Sequence, residues 1–124
     1  MSVLANRVAA VLWVGWGLVH ILAGVLTLSF EPAGAFAGIA DAVDPTVLAI
    51  DYPGAVAAVL HQHGWNLGWI GLTTLVSAPF VWRGRIEAVL LAAWVGGMAD
   101  LGYFLFLDLG GFVHFLPGGL MTYV

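Results

Sequence analysis

From Val8 to Phe30 the chain runs 23 residues without an acidic residue, a lysine or an arginine. A helix of about 20 apolar residues is long enough to cross the hydrocarbon of a bilayer. In water the same helix would need other protein wrapped around it on every side. The rest of the chain cannot supply a water-facing wrapping. Charged residues make up 8% of its 124 residues, hydrophobic residues 62%, and there is no lysine. A soluble domain carries roughly 25% charged residues. The sequence therefore predicts a single integral membrane domain with lipid as its main solvent.

Segment lengths set the layout. The first span is expected over 7–30, the second over 53–82 and the third over 86–107. Together they give an all-α polytopic transmembrane helical bundle. The apolar core of a cleaved signal peptide is shorter, roughly 7–15 residues, so the first segment reads as a retained span, although "AGAFAG" follows with the small residues of a cleavage site. Residues 31–52 form a loop holding Glu31, Asp41, Asp44 and Asp51 and no basic residue. Within it "DPTVL" places Asp44 to cap a short helix with Pro45 at its first position. Pro79 is expected to kink or end the second helix, and "WRGR" at 82–85 to turn tightly. The tail, 109–124, is apolar but too short to cross, and Pro117-Gly118-Gly119 breaks helix. It reads as a re-entrant piece, a surface helix or a partial fourth helix.

Arg7, Arg83 and Arg85 fall on one side of this layout, and the acidic loop and Asp108 on the other. The positive-inside rule then puts the N-terminus in the cytoplasm of an inner-membrane protein. A formal net charge of −4 with no basic stripe excludes a nucleic-acid partner. The absence of cysteine excludes disulfides, thiolate metal sites and thiol catalysis.

The polar residues inside the spans carry the functional signal. With about 1.5 Å of rise per residue, His20 lies about 16 Å from the outer edge, His63 about 15 Å and Asp100 about 12 Å. Asn66 lies one turn deeper than His63. Side chains from three spans thus share one level, and a membrane carboxylate seeks a partner in the protein interior. Asp100 is expected to accept a proton bond from His20 or His63, with Tyr103 one turn along the same face. His61 and His63 point to nearly opposite faces, about 200° apart, and His63, beside Asn66, is the inward candidate. Glycines in the second span, Gly64-xxx-Gly68 with Gly71, predict close helix contact.

Three functions use these residues. In the first, His20, His63, Asn66 and Trp16 hold a lipophilic ligand or cofactor, with haem b, ligated by His20 and His63, the leading cofactor. The same two histidines with Asp100 are also a candidate metal site, though no paired-ligand motif supports it. In the second, His20, His63, Asp100 and Tyr103 are catalytic residues moving a proton on a sterol, quinone or isoprenoid. Trp13, Trp65, Trp69 and Trp94 would line the pocket of either. In the third, the chain is an accessory subunit whose polar residues lock its packing. Glycine seams and the small enclosed volume predict a homo-oligomer or a membrane-complex partner.

Overall fold

The computed structural model describes residues 2–39, 43–48, 50–114 and 116. They are predominantly helical, with no strand among them. Helix α1 spans Val3–Ser29, α2 Pro32–Ile39, α3 Gly54–Trp82 and α4 Ile86–Tyr103. α1 begins a turn before the predicted span because Ser2 caps it, its hydroxyl accepting from the Ala5 amide at 3.2 Å. α4 runs on through a π turn, Phe104–Asp108. Two segments, Val3–Ser29 and Ile86–Asp108, are long and apolar enough to cross a membrane. α3 is as long as α1, 29 residues against 27, but its polar stretch 61–66 makes it less apolar.

The loop after α1 is more structured than a solvated coil. α2 occupies its first half, and Pro45–Leu48 form a 3-10 turn. Asp44 Oδ1 accepts from the Thr46 amide at 3.0 Å and from its hydroxyl at 2.6 Å, the expected cap. Phe36 and Tyr52 pack ring to ring at 5.2 Å. The segment after α4 meets this loop, because the Val43 amide donates to the Phe112 carbonyl at 3.1 Å and Val113 is buried. The tail 109–124, on which a partial fourth helix was expected, shows turns and no helix over 109–114, while Asp41 and 117–124 lie outside the described residues.

α1 and α3 run antiparallel with backbones in contact. A methyl built on Gly71 would stand 2.5 Å from the Gly17 carbonyl oxygen, and one on Gly24 2.6 Å from that of Gly64. Only glycine permits this approach. Thr27 and Thr74 are fully buried in the seam. Their hydroxyls donate to the Ala23 carbonyl at 2.7 Å and the Gly71 carbonyl at 2.9 Å, so each is satisfied within its own helix. The expected glycines form α3's side of the seam: a methyl on Gly24 would stand 2.6 Å from the Gly64 carbonyl oxygen and 2.8 Å from the Gly68 amide nitrogen, and Gly71 extends the contact, although a methyl on Gly68 itself would meet nothing within 4 Å.

α3 passes Pro79 without ending. It closes at Trp82 with a turn in which Gly84 has φ +73°, a conformation that favours glycine. α4 returns parallel to α1. Here the gap between backbones is filled by indoles: Trp13 lies against Gly96, whose missing side chain makes room for the ring.

Candidate functional site

The site grows from Trp16, buried on α1. One α-helical turn from Trp13, it faces α4 one turn beyond Gly96, where Asp100 stands. Its indole N–H donates to both oxygens of the Asp100 carboxylate, at 3.0 and 3.2 Å. The two tryptophan rings meet edge to face, 5.7 Å apart. His20, one turn further along α1, lies flat on Trp16, with centroids 3.5 Å apart and planes 17° from parallel. The Cβ of His20 also packs against α3, 3.0 Å from the position a methyl on Gly71 would take.

His20 is oriented by its own helix. Its Nδ1 stands 2.9 Å from the Trp16 carbonyl oxygen. A carbonyl only accepts, so Nδ1 carries the proton, and in the neutral ring Nε2 is a bare acceptor. The assembly thus has two ends: a carboxylate engaged by an indole, and an imidazole nitrogen whose lone pair is set by the bond behind it. The register that matches Trp13 to Gly96 and Trp16 to Asp100 brings Tyr103 and Phe104 level with His20.

The expected partner of Asp100 was a histidine; the structure gives it Trp16 instead. A Trp-xx-Trp on one helix facing Gly-xxx-Asp on another was the legible signal, because a bulky ring needs the glycine beside it. His63 stands close enough to His20 for the two groups to interact electrostatically, but it makes no hydrogen bond to Trp16, His20 or Asp100. It is exposed and lies eight residues along α3 from Gly71, a rise of about 12 Å. His63 is therefore offset along the bundle from His20, not level with it. Depth counted from span ends ignores the stagger between α1 and α3. His61 is the more enclosed of the two, with Nε2 shielded and without a hydrogen-bond partner among the described residues. Asn66 turns to its own helix, accepting from the Trp69 indole at 3.1 Å.

The tryptophans divide in the same way. Trp13 and Trp16 face inward. Trp65, Trp69 and Trp94 are 66%, 46% and 73% exposed and lie on the outer surface, not around a pocket.

A bis-histidine haem does not fit these residues. α1 and α3 touch through backbone atoms along their seam, which leaves no slot for a porphyrin between them. Among the described residues no three His, Asp or Glu side chains gather closely enough to hold a metal ion. Comparison with protein families, characterised proteins and solved structures finds no match to the chain.

Proposed function

We propose that the chain is a three-span inner-membrane protein whose Trp16–His20–Asp100 assembly holds a lipophilic molecule bearing a hydroxyl or other hydrogen-bond donor. The crossing of α3 follows from its seam with α1. Two antiparallel helices of nearly equal length in backbone contact share one depth, and α3 carries no acidic residue, lysine or arginine. The three arginines at one end favour a cytoplasmic N-terminus and 83–85 turn.

The observation that carries the ligand reading is the Nδ1 bond of His20 to the Trp16 carbonyl. It holds the half-buried His20 ring in one orientation and leaves Nε2 as its one acceptor. A polar atom in lipid seeks a partner, and a membrane-soluble alcohol, quinol or isoprenoid provides one. The aromatic faces of Trp16 and Trp13 supply the apolar contact around it.

The same geometry supports acid–base chemistry as the second reading. A bare Nε2 held in one orientation is poised to take a proton from such a ligand, and the Trp16 indole holds the Asp100 carboxyl group close by.

The test is an organic extract of detergent-purified protein, analysed by mass spectrometry beside a His20→Phe variant. The reading expects a lipid species in stoichiometric amount, lost from the variant while helicity is kept. Identical extracts from both would overturn it and leave the tryptophan, histidine and aspartate as packing groups alone.

A further inference from the structure

Below the glycine seam, α1 and α3 stay packed through Ala10 and Ala78, and an open groove runs along their surface. Pro79 and the small residues Ala10 and Ala78 leave a cavity of about 320 Å³ whose walls are completed by Val11, Val14, Leu75 and Trp82. None of these belongs to the His20 group. From Trp82 to Leu75 is seven residues, a depth of about 10 Å, out of the roughly 15 Å of one leaflet's hydrocarbon. The walls are almost wholly apolar carbon.

The mouth is different. Arg7 continues the α1 stripe of Ala10, Val11 and Val14 by helical spacing, and its guanidinium stands 5.2 Å from the centre of the Trp82 ring that walls the groove. All three cationic side chains of the chain, Arg7, Arg83 and Arg85, cluster at this end. Arg85 lies 3.6 Å from Glu87. Among the described residues no carboxylate pairs with Arg7 or Arg83. Arg83 lies over Phe80. An unpaired arginine fixed on a tryptophan at the rim of an apolar groove matches one kind of molecule: an anion joined to hydrocarbon.

We propose that this groove binds one anionic phospholipid, its phosphate on Arg7 and the upper part of an acyl chain between α1 and α3. A free phosphate would gain the arginine and nothing from the walls. A neutral phospholipid would gain the walls and lack the charge match that a basic residue at the membrane surface supplies. The inference rests on the reading that α1 crosses the bilayer, and it is independent of the ligand assigned to His20.

The experiment uses the full chain reconstituted in vesicles of equal phosphatidylglycerol and phosphatidylcholine, extracted in mild detergent and weighed by native mass spectrometry. One phosphatidylglycerol per chain is expected to be retained in preference to phosphatidylcholine. Arg7→Gln should reduce its retention about fivefold, the effect of one basic residue at a membrane surface. Val11→Trp, at a position 61% exposed, fills the groove and should abolish retention. Val25→Trp, on the outer face of the same helix, should retain it. Glycerol phosphate added in excess should not displace the lipid. Equal retention of both lipids, or retention unchanged in Arg7→Gln and Val11→Trp, overturns the proposal. So does a second copy of the chain, in place of lipid, leaving when Val11 becomes Trp. Alkaline carbonate extraction separates the two readings. A chain that stays in the membrane but retains both lipids equally sinks the groove alone, whereas a chain that is released sinks the crossing as well.

Discussion

Asp100 shows what a single residue's depth does and does not reveal. Its place within an apolar helix dictated a partner, because an unpaired carboxylate in lipid is costly. Which partner depends on how α1 and α4 are staggered, and neither helix carries that register alone. Trp16 supplies the donor. Trp16→Phe keeps the ring and removes the N–H, and should cost about 2 kcal/mol, the worth of a hydrogen bond to a charged group. Asp100→Asn retains an acceptor and should cost less. Thermal unfolding in detergent ranks the two, and the reverse order would place the bond elsewhere. In the loop, the hydroxyl and then the amide of Thr46 hold the Asp44 carboxyl below the usual aspartate range. This contribution is therefore complete above the ordinary aspartate pKa and fades as pH falls through the lowered value. NMR titration should show the Asp44 value rising in Thr46→Val.

At the scale of helices, lengths and end signals were legible and faces were not. The first and third spans match α1 and α4 with its π turn to within a few residues, because the apolar runs and the Arg83–Arg85 turn are local features. Pro79 was expected to disrupt α3, yet the helix continues, since a proline near a helix end loses only one backbone bond, here to the Leu75 carbonyl. The inward face of α3 differs from the expectation: the seam selects Leu60, Gly64, Leu67, Gly71 and Thr74, and His63 stands on the flank of that stripe, about 60° from its centre. A helix with apolar residues all round has no moment to mark its buried side; glycine spacing marks it instead. Gly24→Leu should therefore push α1 from α3 and cost at least about 2 kcal/mol through overpacking. Gly97→Ala meets nothing within 4 Å and should be neutral or stabilising by up to about 1 kcal/mol. Equal losses from the two would refute the seam.

For the molecule as a whole, composition alone pointed to lipid, and two apolar helices of spanning length agree with it. The chain has no cysteine, so single cysteines report topology cleanly. Ser2→Cys and Glu87→Cys should be labelled by an impermeant maleimide from one side of sealed vesicles, and Thr46→Cys from the other. Labelling of all three from one side would remove the membrane crossing. The site at the centre of this arrangement stands on one proton. Nitrogen-15 spectra of histidine-labelled protein in detergent, with the His20 signals assigned by their loss in His20→Phe, read its position directly. A protonated Nδ1 and a bare Nε2 whose signal moves when bound lipid is stripped away is the predicted result. A proton on Nε2, or an Nε2 signal indifferent to lipid, would contradict the account.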